Sequence, residues 1–355
     1  MSLEQEAIPT FANHQTFHPR FGWLKKGFDA ARQDPEVFTR PDAPVILGVG
    51  KNMVEAIRFW CMATRVLVKL PNPDRPRVSI AVPTGFGAAM LGDDGLDPYM
   101  EDPSTLWLLH WQALSAPSML PIWRSTFNDL TALEFTEPEL VRFCVDEVAD
   151  TTWTQPNVSS IQKDVDCLLR MYTARETRHR QSLDDLLDSP FRELGILSPA
   201  PAGKSTFRFV RGAKPTLNSA AITYACLDFL ATTDPDARTA SLSRLTSDSG
   251  SPGRIFKLTE DAILDALEES IRIGAQIRLA SPAGTTQLVL QESPTNVAAV
   301  VMHRHHESRG RGVASVPGVV AGVGARLDEI QAQLHLTMKP VKASGTGRAR
   351  KGTAA

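Results

Sequence analysis

The fold is decided by the stretch Gly48-Val49-Gly50-Lys51-Asn52-Met53-Val54-Glu55-Ala56-Ile57-Arg58-Phe59-Trp60, which runs on to Leu67. Apolar and small residues recur at helical spacing and predict an inward stripe of Val54, Ile57, Cys61, Thr64 and Val68. The same spacing predicts an opposite, outer face of Lys51, Glu55, Arg58, Met62 and Arg65. Asn52, with Glu55 three residues later, indicates a capped helix start. A glycine-bearing turn before such a helix is typical of a helix-turn-helix.

The residues that follow complete the pattern of a winged helix. Residues 78–84 resemble a short strand, and Gly85-Phe86-Gly87 would form the edge of a wing. We therefore predict a winged-helix module over residues 17–91, with the surface from Lys51 to Arg65 facing the DNA groove. Residues 1–16 would precede it as an N-terminal arm.

Two other interpretations of this stretch stay open. One is an ordinary amphipathic core helix with a solvated basic side. The other is a phosphate-binding loop, because a Gly-Val-Gly-Lys sequence follows an apolar run. That motif is incomplete, since Val45 stands where its first glycine belongs and Asn52 replaces the hydroxyl residue that would hold magnesium.

Composition indicates a globular protein of two to three domains. The chain has 355 residues, of which 42% are hydrophobic and 22% are charged. No apolar run is long enough to span a membrane, and the first residues lack an export signal. The scattered cysteines predict reduced, buried thiols rather than a metal site; they are Cys61, Cys144, Cys167 and Cys226. We expect a cytoplasmic protein without a membrane partner.

Charge is distributed unevenly along the chain. Residues 17–91 contain 11 basic and 6 acidic side chains, whereas residues 92–150 contain 2 basic and 12 acidic ones. One surface should therefore attract phosphates while another repels them or holds cations. In the basic module, the predicted DNA contacts are Arg20, Lys25, Lys26, Lys51, Asn52 and Arg58.

The acidic surplus begins in a loop rich in glycine and proline, and a strongly apolar helix starts at Pro103. Carboxylate oxygens are the ligands that Mg²⁺ prefers. Asp94 and Asp97 are therefore candidate magnesium ligands, and they form the candidate catalytic group together with Glu101. The alternative is that these loop acids cap helices and stay solvated.

Two further helical modules are predicted, which gives a mainly α fold with small β wings and several winged-helix or helix-turn-helix-like modules. Residues 92–200 would combine the acidic loop with a second module, whose DNA contacts are Ser159, Lys163 and Arg170. Residues 206–290 would form a third module, with Arg254 in a turn-then-strand stretch. Residues 291–355 are expected to be a variable, partly disordered basic tail.

Six segments resemble one bacterial family, the SspB-type proteins of DNA phosphorothioation in single-strand phosphorothioate defence. The segments are Phe17–Gly27, Leu47–Val54, Asp97–Pro103, Leu106–Trp111, Lys163–Tyr172 and Pro252–Leu258. The resemblance covers residues 11–290 and implies a protein that binds double-stranded DNA and nicks it for sulfur insertion. It also implies partners from the same system: a cysteine desulfurase, a sulfurtransferase-like ATP pyrophosphatase and an ATPase. Self-association into a homodimer is left open.

Nicking requires attack on a phosphodiester, and two routes stay open. A hydrolytic route would use magnesium held by the acidic loop. A covalent route would need a nucleophile such as Tyr99, Tyr172 or Tyr224. The competing function is a non-enzymatic DNA-binding regulator or adaptor of the same operon.

Overall fold

The structure is a computed structural model that describes residues 2–72, 74–173, 189–200 and 205–309. Helices dominate it, and the strands form small antiparallel sheets of two or three strands. The predicted class, mainly α with small β elements, is confirmed.

The first part of the described chain contains seven elements that belong to the predicted arm and basic module. They are α1 (Leu3–Glu6), α2 (Trp23–Gln33), α3 (Ala43–Leu47), α4 (Lys51–Ala63), β1 (Leu67–Pro71), β2 (Ser79–Pro83) and α5 (Gly85–Leu91). Strands β1 and β2 pair with each other, and the Ala81 amide of β2 also donates to the Pro35 carbonyl at 2.8 Å. Gly48 ends α3 in the left-handed region at φ 60°, where glycine meets no steric penalty.

All five positions of the predicted inward stripe are buried, but the helix ends earlier than predicted. Helix α4 ends at Ala63, so Thr64 is its C-cap and Val68 lies in β1. The outer face is confirmed only for the N-terminal half of the helix. Met62 and Arg65 are buried instead, and the Arg65 guanidinium donates to the carbonyls of Ser115 and Pro117. Those carbonyls come from a distant segment, so the periodicity of α4 could not reveal that they cover it.

Two local predictions in this region are corrected. Residues 43–47 form a helix rather than a strand, so the strand-loop-helix context of a phosphate-binding loop is absent here. Gly85-Phe86-Gly87 starts α5 and is not the edge of a wing. The Thr84 hydroxyl caps this helix by accepting from the Gly87 amide at 2.8 Å.

The second and third parts share a general order of elements: one or two helices, a strand, two or three helices and then two strands. The second contains α6 (Pro103–Leu114), α7 (Pro121–Asn128), β3 (Glu134–Thr136), α8 (Glu137–Ala149), α9 (Val158–Tyr172), β4 (Leu197–Pro199) and β5 (Thr206–Phe209). The third contains α10 (Ser219–Thr233), β6 (Thr239–Ser241), α11 (Leu242–Ser247), α12 (Pro252–Ile255), α13 (Glu260–Arg272), β7 (Ile277–Ala280), β8 (Gln287–Leu290) and α14 (Pro294–Ser308). In each sheet the last strand lies in the middle, in the orders β3-β5-β4 and β6-β8-β7. Short 3₁₀ turns occupy Val37–Thr39, Pro190–Leu194 and Pro282–Gly284.

Two predictions in the third part are also corrected. The expected turn and strand around Arg254 is the short helix α12, because Ser251 caps it and Pro252 starts it. Residues 294–308 form α14, whose buried side chains pack against α10, so the variable tail cannot begin at residue 291. Residues 310–355 of the predicted tail lie outside the described residues.

One continuous cluster of buried side chains runs from Leu3 to Met302 and joins all three parts. The N-terminal arm contributes to this joining through Glu6. The Glu6 carboxylate lies 2.9 Å from the buried Arg124 guanidinium of α7 and accepts from the Ser249 hydroxyl at 2.7 Å. All four cysteines are buried and free, as predicted. Among the described helices, none has the length and apolar character needed to cross a membrane.

Candidate nucleic-acid interface

The exposed face of α4 carries Lys51, Asn52 and Arg58, as the sequence predicted. Within the described residues, none of these three side chains makes a hydrogen bond or an ion pair. Gly50 caps the helix without a side chain, so the first amides of α4 have no side-chain acceptor there. Exposed cations beside the open amides of a helix N-terminus provide a surface that favours phosphate.

Two more exposed cations were missed from the sequence, and one of them, Lys69, lines the same cavity as Arg58. Lys69 lies exposed on β1, opposite Ala81 of β2. Arg77 lies exposed in the connection between the two strands. A signal was present for one of them, because Arg77 directly precedes the strand predicted over residues 78–84.

The predicted contacts on α2 lie at a different place and are engaged within the protein. Lys25 Nζ donates to the Asp29 carboxylate at 2.9 Å and to the Leu91 carbonyl at 3.1 Å. Lys26 Nζ donates to the Leu47 carbonyl at 3.1 Å. Both lysines line a cleft of about 590 Å³ whose wall includes the exposed ring of Tyr99. Their charge is therefore partly compensated before any phosphate arrives.

The remaining predicted DNA contacts also fall into two groups, side chains without an internal partner and side chains that interact within the protein. Ser159 and Lys163 are exposed on α9, without hydrogen bonds or ion pairs in the described part of the chain. Arg170 donates to the Thr16 carbonyl at 2.9 Å. Arg254 donates to the Ser247 carbonyl at 2.7 Å and to the Asn128 carbonyl at 3.2 Å, so it fastens α12 to α7. The Arg20 guanidinium lies 5.5 Å from the centre of the Trp23 ring.

The N-terminal arm lies between α4 and α9 and contacts both. His14 Nε2 lies 2.7 Å from Asp164 Oδ1 of α9, and the Ala12 amide donates to the same carboxylate at 3.0 Å. The Gln15 side-chain amide of the arm donates to the Glu55 carboxylate of α4 at 2.8 Å. Burial raises the pKa of Asp164, and the hydrogen bonds from His14 and Ala12 oppose that shift. The arm therefore fixes α4 and α9 relative to each other.

The three candidate carboxylates of the acidic loop differ in burial. Asp97 is completely buried and accepts from the Glu101 amide at 3.0 Å, the Asp102 amide at 2.9 Å and the Thr105 hydroxyl at 2.6 Å. These bonds close the turn that leads into α6. Asp94 and Glu101 are exposed.

The neighbouring acids Asp93 and Asp102 are paired with basic groups. Asp93 lies 2.8 Å from the Arg32 guanidinium, and this hydrogen bond lowers the pKa of Asp93. Asp102 caps α6 and accepts from His305 at 3.2 Å and from Arg309 at 2.6 Å. Burial alone would raise the pKa of Asp102, but the hydrogen bonds from His305 and Ser104 outweigh it and lower the pKa.

No three metal-ligating side chains come together anywhere in the described ranges. The structure therefore does not bring Asp94, Asp97 and Glu101 into one group. Protein-bound Mg²⁺ often takes only one or two carboxylates and completes its shell with water and substrate phosphate. Asp94 and Glu101 suit that partial role because they are exposed, whereas the buried Asp97 does not.

The three candidate tyrosine nucleophiles also differ in access. Tyr172 and Tyr224 are buried, and burial raises the pKa of Tyr172 well above its ordinary value. The Tyr172 hydroxyl is within 2.7 Å of His110 Nδ1. Tyr99 is 70% exposed and is the accessible one.

Comparisons with known proteins show which proteins this chain is similar to. A family model described as a protein of unknown function, DUF4007, matches residues 11–306. A magnesium ion-bound SspB crystal structure is similar at 35% sequence identity and a TM-score of 0.84, covering 93% of this chain and 99% of that chain. A second SspB crystal structure is similar at 35% identity and a TM-score of 0.83, covering 94% of this chain and 99% of that chain. The search of curated proteins found no match.

Proposed function

This chain belongs to the SspB family, and from that premise we propose that it binds double-stranded DNA in a bacterial phosphorothioate modification and defence system. The single observation that carries DNA binding is the surface formed by Lys51, Arg58 and Lys69. These side chains are exposed, and no acid within the described residues neutralises them. Such cations can exchange the counterions of DNA phosphates for direct contacts.

Winged-helix modules are the second part of the proposal. Supporting it is the general order of one or two helices, a strand, two or three helices and two strands, which recurs with the last strand in the middle of the sheet. The first part follows the same order if the hydrogen bond between Ala81 and Pro35 replaces its first strand. In such modules the helix before the last two strands enters the major groove. Those helices are α4, α9 and α13.

The charges of these three helices favour different roles. Helix α4 presents Lys51 and Arg58, and α9 presents Ser159 and Lys163. Helix α13 presents only acids over its first three turns, namely Glu260, Asp261, Asp265 and Glu268. Carboxylates directed at phosphates would oppose binding. We therefore assign DNA contact to α4 and α9, and a supporting role to the third part.

Nicking is the proposed activity, and magnesium is its proposed cofactor. A similar SspB protein has been crystallised with a magnesium ion bound. Bound at the exposed carboxylates Asp94 and Glu101, the ion would stabilise the charge that develops on the phosphodiester. The basic surface of α4 would hold the duplex. The partners would be the desulfurase, sulfurtransferase-like and ATPase proteins of the same system, in the cytoplasm.

A non-enzymatic adaptor or regulator is the second candidate, and the burial of Asp97 favours it. Asp97, which lies between the other two candidate acids in the sequence, closes a turn and does not face solvent. Incubation of the purified chain with supercoiled plasmid, with and without Mg²⁺, separates the two functions. Magnesium-dependent conversion to open circles supports the nickase, and duplex binding without conversion supports the adaptor. Failure to bind duplex DNA at low salt would overturn both.

A further inference from the structure

We propose that the N-terminal arm is part of the DNA interface and that Asn13 and Arg58 form a pocket that recognises a base edge. This inference rests on the proposed DNA binding and adds to it the source of sequence preference. Its starting point is a cavity of about 330 Å³ between the arm, α4 and β1.

The cavity is lined by polar side chains and by four apolar ones, Ile8, Phe59, Met62 and Met119. Thr10, Asn13 and Gln15 come from the arm, Glu55 and Arg58 from α4, and Lys69 from β1. Asn13, Arg58 and Lys69 are exposed, and none has a hydrogen-bond or ion-pair partner in the described portion of the chain. An arginine matches the acceptors of guanine, and an asparagine matches the donor and acceptor of adenine. The cavity thus combines base-recognising side chains from two elements.

The remaining polar groups hold this pocket in one arrangement. The Gln15 amide donates to the Glu55 carboxylate at 2.8 Å, which couples the arm to α4. Ala12, Gln15 and Thr16 all have positive φ values, of 55°, 52° and 64°. Non-glycine residues adopt that conformation only when their surroundings enforce it. Here the enforcing contacts are those of the arm with Asp164 and Arg170 of α9.

The position of the cavity favours DNA as its occupant. It lies on the outer face of α4, where Arg58 is two turns beyond Lys51, and Lys69 also lines it, so cations lie near the base-recognising groups. Phosphate contacts on both sides of a polar pocket are the arrangement that positions a duplex and then distinguishes its bases. Glu55, with Gln15 holding it, adds an acceptor suited to the amino group of cytosine.

The test compares two kinds of variant of the full chain on duplex DNA. Preferred sequences are first selected from a random library with the parent protein. Asn13→Ala and Arg58→Lys should then lower the preference for the selected sequence over scrambled DNA by about tenfold. Arg58→Lys keeps the positive charge but loses the guanidinium group that can donate two parallel hydrogen bonds to a base. The salt dependence of DNA binding by this variant should therefore equal that of the parent.

Lys69→Ala is the matched control, because it removes a phosphate contact without removing a base contact. This variant should bind the selected and the scrambled duplex more weakly than the parent does, by the same factor for both. The slope of log K against log salt should fall by about 1. The proposed base-recognition pocket is overturned if the parent shows no sequence preference, or if the preference survives in both Asn13→Ala and Arg58→Lys. Either result leaves the proposed DNA binding intact. Absence of duplex binding by the parent overturns both proposals.

Discussion

His14 Nε2 of the arm lies 2.7 Å from Asp164 Oδ1 of α9, and both side chains are buried. The His14 ring also lies 6.2 Å from the Trp60 ring of α4 and 5.8 Å from the Trp123 ring of α7. One histidine therefore contacts groups from two of the three parts of the fold. The arm is a structural connection between them, and its outer side is left to contact a ligand.

Removal of this histidine should destabilise the protein. His14→Ala leaves the Asp164 carboxylate buried without its side-chain partner, so the free energy of unfolding should fall by about 3 kcal/mol. Urea unfolding followed by tryptophan fluorescence measures the change. Asn13→Ala is the matched control, because the neighbouring side chain is exposed and should change stability by less than about 0.5 kcal/mol. Equal stability of the two variants would contradict the anchoring role.

DNA affinity should depend on the free cations more than on the engaged ones. Lys51→Ala with Lys69→Ala removes two proposed phosphate contacts, so the slope of log K against log salt should decrease by about 2. Lys25→Ala should have a smaller effect because Asp29 already compensates Lys25 at 2.9 Å. Fluorescence anisotropy with a labelled duplex at several salt concentrations makes the comparison. Equal effects of Lys25→Ala and Lys51→Ala would show that the internal ion pairs do not matter.

Asp97→Asn should act on stability. The two carboxylate oxygens of Asp97 together accept from two backbone amides and a hydroxyl, and the substitution replaces one of these oxygens by an NH₂ group, so at least one donor loses its acceptor. We expect a loss of about 3 kcal/mol of unfolding free energy. Thermal unfolding measures it, and plasmid nicking should fall only as far as the folded fraction falls. Unchanged stability with abolished nicking would instead assign Asp97 to the chemistry.

Asp94→Asn combined with Glu101→Gln should show the reverse behaviour. Both acids are exposed, so the melting temperature should stay within a few degrees of the parent. If these carboxylates hold the proposed magnesium ion, single-turnover nicking should fall by about 100-fold, which corresponds to roughly 3 kcal/mol in the barrier. A magnesium titration of the residual activity then shows whether affinity for the ion is lost. Nicking at the parental rate would exclude these two acids.

Stability should rise with pH in a way that depends on Lys257. Its Nζ donates to the Phe127 carbonyl at 2.6 Å and lies 4.1 Å from the centre of the Phe209 ring. Burial, with a smaller contribution from the charge of Arg211, lowers the pKa of Lys257 to about 7. Between this pKa and the ordinary value of about 10.4, the unfolded chain holds a proton that the folded chain has released. Unfolding free energy should therefore increase with pH above 7, by up to about 1.4 kcal/mol per unit.

Lys257→Met supplies the reference for that measurement. It keeps an apolar chain of similar length and cannot titrate, so the stability difference between parent and variant isolates Lys257. The difference should be constant below pH 6 and should shift in favour of the parent from pH 7 to pH 9. Parallel stability curves for the two proteins over this range would show that Lys257 keeps its ordinary pKa.

Prediction from the sequence succeeded where a short segment determines the outcome. The inward stripe of α4 follows from spacing alone, and the buried cysteines follow from their apolar neighbours. Prediction failed where a segment distant in the sequence determines whether a side chain is buried. Arg65 has the sequence context of a surface cation, but the carbonyls of Ser115 and Pro117 surround it.

Residue type alone could not show which charges are free. Lys25 and Lys51 look alike in the sequence, yet only Lys51 lacks an internal partner among the described residues. Similarly, Asp94 and Asp97 belong to one acidic loop, and only the fold shows that Asp97 turns inward. The arm carried no local signal of its role, because its contacts with Asp164 are made across about 150 residues.

The contacts of Glu6 have a consequence for the order in which the chain can fold during synthesis. Glu6 is made early by the ribosome, but its partners Arg124 and Ser249 follow 118 and 243 residues later. At about 5–20 residues per second, the arm waits roughly 10–50 s before Ser249 has been made. Through that interval the apolar side of the arm has no complete docking site. The nascent chain is therefore expected to need shielding by a chaperone until its third part leaves the exit tunnel.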